Sequence, residues 1–168
     1  DAGQETLDIT SCDLRALSEA VVADLAPSLE SRHQAAHITI GEDATSVQAD
    51  PAKLHDVLRN LIANASAYGP EHSRIDVVTS RAEDRIRIDV LDRGPGIPEG
   101  DRGRVFERFY RVDKSRARDP GGTGLGLSIV KHLVELHGGA VNVFNRLDGG
   151  AQFRVELKIA APNLKAEI

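Results

Sequence analysis

The chain has 168 residues and a formal net charge of −5, with 40 % hydrophobic and 28 % charged residues. This length suits one domain with a sizeable core, and the acidic balance argues against general binding to nucleic acids or anionic membranes. Only 4 % of the residues are aromatic and Trp is absent. We therefore expect a core of Leu, Val, Ile and Ala.

The single cysteine, Cys12, excludes an internal disulfide and fits a reducing compartment. We interpret it as a buried helix residue rather than a reactive thiol. No apolar run approaches the roughly 20 residues of a membrane span, and no signal peptide is visible. The sequence lacks Met and begins at Asp1, so we expect an excised piece of a larger protein.

Residues 1–11 are polar and predict a linker or a short edge strand. A helix capped by Ser11 or Asp13 should follow, and Pro27 is expected to bend or shorten it. Its apolar residues recur near the helical period. They are Leu14, Leu17, Val21, Leu25 and Leu29.

A short strand around Ile38 and Ile40 comes next, and residues 47–49 could pair with it. Asp50-Pro51 then predicts a helix start, because the carboxylate caps and proline suits the first position. This helix should run to Tyr68. Its predicted buried face consists of Leu54, Val57, Leu58, Leu61, Ile62 and Ala65.

Asn60 and Asn64 are four residues apart, so their amides share one side of that helix. Asn has poor helix propensity, and two at this spacing require an explanation. One is a pair of satisfied core amides. The other is a pair of amide oxygens offered to a hard cation such as Mg²⁺.

Residues 75–77 and 86–90 alternate around a turn at 81–84, which predicts a hairpin. Its second strand ends in Asp92, followed by Gly94 and Gly96. This pattern is that of an ordinary turn, or of a pocket floor where glycines admit a flat ligand. In such a pocket the carboxylate would accept a hydrogen bond from an exocyclic amine such as that of adenine.

Residues 101–118, the basic segment, carry a net charge of +4 in an acidic chain. Such a run is usually a solvated face, but its place before a glycine-rich loop favours phosphate contact. Phe106, Phe109 and Tyr110 lie in it. We therefore expect part of this segment to anchor to the core.

Residues 119–127 contain glycines at 121, 122, 124 and 126, and a helix to about His137 follows. The pattern predicts a phosphate-facing loop that ends on a helix N-terminus, with a plain surface loop as the alternative. It is neither a Walker loop nor a Rossmann fingerprint. Two strands joined through 148–150 close the chain. The elements predict an α+β fold with helices on one face of a mixed, mostly antiparallel sheet.

Four sequence boxes in this order closely resemble the catalytic ATP-binding domain of sensor histidine kinases. They are Asn60-Leu61-x-x-Asn64-Ala65, Asp92-x-Gly94-x-Gly96, Phe106-Glu107-Arg108-Phe109-Tyr110-Arg111 and Gly122-Thr123-Gly124-Leu125-Gly126-Leu127. Such domains belong to the superfamily of gyrase, Hsp90 and MutL. The resemblance covers about residues 7–160, and it leaves 1–6 as a linker from an absent acceptor hairpin and 161–168 as a tail.

The resemblance implies a two-layer α/β sandwich of the Bergerat type with a flexible ATP lid, binding ATP and Mg²⁺. It implies that Asn64, with Asn60, binds the metal, that Asp92 binds the adenine amino group, and that Arg111 acts from the lid in catalysis. The implied ATP-binding residues are Asn64, Tyr68, Asp92, Gly94, Gly96, Ile97, Arg108, Tyr110, Arg111, Gly122, Thr123, Gly124, Leu125, Gly126 and Leu127.

Two departures from the family pattern matter. The usual Lys or Arg three residues after the magnesium Asn is Ala67 here, which predicts weaker nucleotide affinity or compensation by Lys114, Arg116 or Arg118. The acceptor hairpin is also absent, since no histidine stands in a His-Glu-x-x-x-Pro context. We interpret the six histidines as surface or core residues.

The resemblance implies the catalytic half of a histidine kinase, which positions Mg·ATP for transfer to a histidine on its dimerisation hairpin. Water-using relatives commonly place Glu where Asn60 stands, and an amide is no general base. A non-catalytic ATP-sensing module and a gyrase- or Hsp90-like ATPase are the alternatives. Expected partners are the hairpin, through which alone it would dimerise, and a response regulator, without direct nucleic acid contact. The expected location is the cytoplasmic side of a bacterial inner membrane.

Overall fold

The computed structural model describes residues 5–110 and 125–159. Within these ranges the chain forms four helices and seven strands, and the strands make up two sheets. In chain order the elements are β1 (Thr10–Asp13), α1 (Leu14–Ser31), β2 (Ala35–Ile40), β3 (Ser46–Ala49), α2 (Pro51–Tyr68), β4 (Arg74–Ala82), β5 (Arg85–Leu91), α3 (Glu99–Arg102), α4 (Gly126–Leu136), β6 (Ala140–Asn145) and β7 (Ala151–Lys158).

The main sheet has five strands in the order β2-β4-β5-β7-β6. Only the β2–β4 pair is parallel, so the predicted mixed, mostly antiparallel α+β architecture is confirmed. Ile86, Ile88 and Val90 of β5 are buried. Arg87 and Asp89, which alternate with them, form ion pairs across to Glu156 and Arg154 of β7, each at 2.8 Å. The sheet therefore has an apolar face under the helices and a charged opposite face.

The proposed pairing of residues 47–49 with β2 is wrong. Strand β3 pairs with β1 in a separate two-stranded sheet, with Cys12 opposite Val47, and β2 pairs with β4. The turn after β2 explains this, because Gly41 donates its N–H to the Thr79 carbonyl of β4 at 3.1 Å. The Thr79 hydroxyl donates to the Ala44 carbonyl at 2.8 Å. These bonds lead the chain away from β2.

Helix α1 is capped by Asp13, whose carboxylate accepts from the Ala16 N–H at 3.0 Å. The helix continues through Pro27 to Ser31, so the expected shortening is wrong. Pro27 is exposed, while Leu25 and Leu29 on either side of it are buried. Core packing therefore outweighs the one backbone hydrogen bond that proline removes.

Helix α2 matches its prediction, with Asp50 as the cap, Pro51 at the first turn and all six predicted face residues buried. Helix α4 runs antiparallel to it. The buried His137 accepts the Asp50 N–H at Nε2, at 3.1 Å, and its Nδ1 bonds the Leu133 carbonyl at 2.8 Å. This imidazole ties the end of α4 to the beginning of α2. The N-terminus of α4 is thereby directed toward the middle of α2.

Candidate functional site

Asp92 lies directly after β5 and is only 3 % exposed. Its Oδ1 accepts the N–H groups of Gly94 and Ala151, both at 2.9 Å. Burial raises the pKa of the carboxyl, while these two hydrogen bonds and the charges of Arg146 and Arg93 oppose that rise. No described residue donates to Oδ2. One carboxylate oxygen is thus fixed by the backbone, and the other is left for a further donor.

Two glycines let other backbone segments approach Asp92 closely. A Cβ at Gly94 would lie 2.5 Å from the Tyr68 carbonyl oxygen, at the end of α2. A Cβ at Gly150 would lie 2.2 Å from the Asp92 carbonyl oxygen, and Gly150 has a φ of +100°. The loop after β5 is therefore packed between α2 and the β6–β7 turn, where only glycine fits.

Asn145, at the end of β6, fixes the rest of that loop. Its Oδ1 accepts the Ile97 N–H and its Nδ2 donates to the Ile97 carbonyl, both at 2.8 Å. Gly96 has a φ of +82°, and a Cβ there would lie 2.8 Å from Asn145 Oδ1. Sequence reasoning missed Asn145 because it lies 48 residues from its partner. Its only local signal is an amide at a strand end.

Arg146 was missed for the same reason. Its guanidinium Nη1 donates to the Asp92 carbonyl at 3.0 Å and to the Gly149 carbonyl at 2.9 Å. The β6–β7 turn, predicted only as a connection, therefore approaches Asp92 through Arg146 and Gly150. Ala151, the first residue of β7, adds the hydrogen bond to Asp92 Oδ1.

Asn60 and Asn64 lie on one side of α2, as predicted, and both are half-buried. Asn60 Nδ2 donates to the Asp56 carbonyl one turn back, at 2.8 Å, and no described residue donates to its Oδ1. A Cβ at Gly126 would lie 2.9 Å from that Oδ1. No described residue hydrogen-bonds the Asn64 side chain. The structure thus brings an amide oxygen to the first residue of α4, where helix N–H groups favour anions.

The glycine-rich loop is described only in part. Leu125 precedes α4, and its carbonyl accepts from the Ile129 N–H and the Ser128 hydroxyl. Leu127 packs against the core, whereas Ile129 is 42 % exposed and does not share the buried stripe. The predicted site residues Arg111, Gly122, Thr123 and Gly124, and the compensating candidates Lys114, Arg116 and Arg118, lie outside the described residues.

The basic segment is anchored by Phe106, which packs edge-on against Phe153 with ring centroids 6.1 Å apart. The expectation that part of this segment anchors to the core is thus confirmed at Phe106, whereas Phe109 is 66 % exposed at a φ of +66°, with Arg108 over its ring. Tyr110 bonds Asp101, and Arg104 stacks on its ring. The described contacts of Arg108 and Tyr110 are thus within their own segment, and the structure does not join them to Asp92.

The arrangement combines a buried acceptor among close-packed glycines with the Asn60 amide oxygen beside a helix N-terminus. The first part suits the amine edge of a flat heterocycle, and the second suits a cation that accompanies an anion. Both parts meet on α2, which carries Asn60 and Asn64 and contacts Gly94 at Tyr68.

The family described as histidine kinase-, DNA gyrase B-, and HSP90-like ATPase matches residues 49–161. The sensor-like histidine kinase SenX3 of Mycobacterium tuberculosis is 42 % identical over 134 residues, which is 76 % of this chain and 33 % of that protein. The sensor protein VanS of Enterococcus faecium is 37 % identical over 159 residues, which is 95 % of this chain and 40 % of VanS. The chain thus spans about a third to two fifths of these relatives.

Solved structures agree with this match. The catalytic domain of the histidine kinase ThkA superposes with a TM-score of 0.79 at 25 % identity, covering 93 % of this chain and all of that domain. Full-length ShkA in complex with AMPPNP gives a TM-score of 0.79 at 30 % identity, covering 96 % of this chain and 34 % of ShkA. The chain therefore belongs to the histidine kinase-, DNA gyrase B- and HSP90-like ATPase family, as a catalytic ATP-binding domain of the sensor histidine kinase type.

Proposed function

We propose that this domain binds Mg·ATP and positions the γ-phosphoryl group for transfer to a histidine on a separate dimerisation hairpin. The observation that carries the proposal is Asp92, because its Oδ1 is held by two backbone N–H groups and no described residue donates to its Oδ2, which can accept from a further donor. We assign that donor as the adenine amino group. Gly94, Gly96, Ile97 and Tyr68 would shape the base pocket around it.

Asn64 and Asn60 are proposed as the Mg²⁺ ligands. They fit a hard cation, because amide oxygens are ligands of such ions, Asn60 Nδ2 is engaged by the Asp56 carbonyl, and Asn60 Oδ1 lies beside Gly126. A bound Mg²⁺ would neutralise charge on the phosphates. The proposed phosphate contacts are the N-terminus of α4 with Leu125, Gly126 and Leu127, the loop residues Gly122, Thr123 and Gly124, and Arg108, Tyr110 and Arg111 of the basic segment.

The side chains favour phosphoryl transfer over ATP hydrolysis. Asn60 stands where the water-using relatives place Glu, and an amide cannot take a proton from water. The domain would therefore orient Mg·ATP and stabilise charge on the γ-phosphoryl group, while a histidine elsewhere supplies the nucleophile. Ala67 favours one second candidate, a module that senses ATP without catalysis.

The partners proposed for the longer protein are its own acceptor hairpin and a response regulator receiver domain. A solved structure holds ThkA in complex with the response regulator protein TrrA, and the superposition with it shows the shared fold. Among the described residues, no helix is both long and apolar enough to cross a bilayer. A position on the cytoplasmic side of a bacterial inner membrane stays a prediction.

Phosphoryl transfer in trans tests the proposed function. The domain would be mixed with Mg·ATP labelled at the γ-position and with the acceptor hairpin of its own full-length protein. We expect labelled phosphohistidine on the hairpin, none with Asp92→Asn, and little free phosphate. Binding without transfer would favour the sensing module, and rapid release of phosphate without a hairpin would favour an ATPase.

A further inference from the structure

Three metal-binding side chains meet on the surface where helices α1 and α2 end. They are His33, Glu71 and His72, all exposed, and their ligating atoms lie within 4.8 Å of one another. The two imidazole rings stack with centroids 4.7 Å apart and planes 9° apart. None of the three is a residue of the candidate ATP site.

Both histidines have left-handed backbone conformations, with φ of 57° at His33 and 65° at His72. Helix α1 ends in a Schellman motif, because the His33 N–H bonds the Glu30 carbonyl and the Gln34 N–H bonds the Leu29 carbonyl. Glycine usually occupies the position of His33. Asn, Asp and His are the non-glycine residues that adopt this conformation most readily, so the backbone accommodates both histidines at these turns.

Hydrogen bonds hold together the two loops that carry these side chains. The His72 N–H bonds the Arg32 carbonyl at 3.1 Å, and the Arg32 Nη2 bonds the Gly69 carbonyl at 2.6 Å. The buried Gln34 Nε2 donates to the Pro70 carbonyl at 3.1 Å. The backbones that carry the three side chains are therefore fixed relative to each other, so only side-chain rotations are needed to converge on an ion.

We infer that His33, Glu71 and His72 bind a divalent transition metal ion of the zinc class, which links the ends of α1 and α2. Two imidazole nitrogens and one carboxylate oxygen form a common donor set for Zn²⁺. Mg²⁺ and Ca²⁺ prefer oxygen ligands and are poor matches for this set. Water would complete the coordination sphere. This site is independent of the proposed Mg²⁺ position at Asn60 and Asn64.

Calorimetric titration of ZnCl₂ into tag-free, metal-stripped protein without nucleotide tests this site. We expect one ion per chain, undiminished by excess Mg²⁺, and a higher Tm with Zn²⁺. The double variant His33→Asn/His72→Asn should bind Zn²⁺ at least about tenfold more weakly. Removing direct ligands should lower metal affinity at least as much as removing residues that only hydrogen-bond the ligands. Asn tolerates left-handed backbone, so this variant should fold. Glu71→Gln, with no backbone change, should also weaken binding.

The matched controls are His37→Gln, an exposed histidine of β2, and His132→Gln, which pairs with Glu5. Both should bind Zn²⁺ like the parent, and the imidazole NMR signals of His33 and His72 should shift with the first equivalent. Three results would overturn the inference: no binding below millimolar Zn²⁺, equal binding by the parent and the double variant, or loss of binding in either control.

Discussion

The proposed base side and phosphate side of the site are built differently. Around Asp92, the backbones of three segments approach so closely that an added Cβ at Gly94 or Gly150 would overlap a carbonyl oxygen. Asn60 and Asn64 instead project half-buried from one continuous helix, beside the N-terminus of another. The base side is thus fixed by local steric fit, while the phosphate side depends on how α2 and α4 pack.

This difference predicts that adding a single methyl group on the base side lowers the stability of the fold. Gly94→Ala should lower the free energy of unfolding by about 2–3 kcal/mol, because its Cβ would meet the Tyr68 carbonyl, which cannot rotate away as a side chain can. Gly100→Ala is the control, since nothing lies within 4 Å of its Cβ. Chemical denaturation measures both. Equal stability of the two variants would contradict the close packing.

Asn145 sharpens the same comparison, because it holds the base-side loop from a distant strand. Asn145→Ala removes both hydrogen bonds to Ile97 and should cost about 1–2 kcal/mol of unfolding free energy. It should also weaken binding of an ATP analogue, because Gly96 and Ile97 lose their support. Asn142→Ala, an exposed position on the same strand, should change neither quantity. A loss of stability with unchanged affinity would separate this loop from the base pocket.

On the phosphate side, removing a side chain should weaken nucleotide binding rather than lower the stability of the fold. Asn64→Ala should lower affinity for the Mg²⁺ complex of the analogue about tenfold, or about 1.4 kcal/mol. Without Mg²⁺ the variant and the parent should bind alike, and the Tm should not fall, because no described residue bonds this amide and Ala has the higher helix propensity. Equal affinity with Mg²⁺ would remove Asn64 from the metal site.

The contributions of the buried Asp50 and Asp92 to stability should depend on pH in opposite directions. At Asp50 burial raises the pKa, but hydrogen bonds from Asp8 and Lys53 and the Lys53 charge outweigh it, so the net pKa is lowered. Its charge therefore stabilises the fold at neutral pH, and that contribution is lost as pH falls through the lowered pKa. Asp50→Asn keeps a side chain that can cap the helix. It should therefore lower the free energy of unfolding by at most about 1 kcal/mol at pH 7, and by little in acid.

At Asp92 the pKa is raised, mainly by burial. Its contribution to stability is present in acid and lost as pH rises through the raised pKa. Asp92→Asn should therefore gain stability relative to the parent with rising pH. Denaturation curves of both variants across the acid range test this opposition. The prediction would be contradicted if the stability differences between the parent and each variant changed with pH in the same direction.

Local signals predicted most of the fold. Asp50-Pro51 and the apolar spacing after it predicted α2 correctly, because a cap and a helical stripe depend on near neighbours. The pairing of β3 with β1 was not predicted, because it depends on Thr79 holding the turn after β2. The aromatic residues of the basic segment predicted that part of it would anchor to the core, and Phe106 does so; composition could not tell it from Phe109, which is exposed at a positive φ.

The candidate site was predicted in part for the same reason. Asp92, Gly94 and Gly96 stand in one short stretch, so the sequence displays them together. The groups that hold them, Asn145 and Gly150, belong to a turn about fifty residues later. Nothing in the neighbouring sequence indicates that a polar residue at such a position supports a distant loop. Only the pairing of β7 with β5 brings that turn beside Asp92.

Calorimetric titration of a non-hydrolysable ATP analogue with Mg²⁺ into the parent and Asp92→Asn tests the central claim most directly. Asn keeps an oxygen for the Gly94 and Ala151 N–H groups but presents an NH₂ donor in place of Oδ2. The fold should survive, and affinity should fall roughly 100- to 1000-fold, because two donors would face each other. A parent that binds no analogue at millimolar concentration, or a folded variant that binds equally well, would contradict the assignment of Asp92 to the adenine amino group.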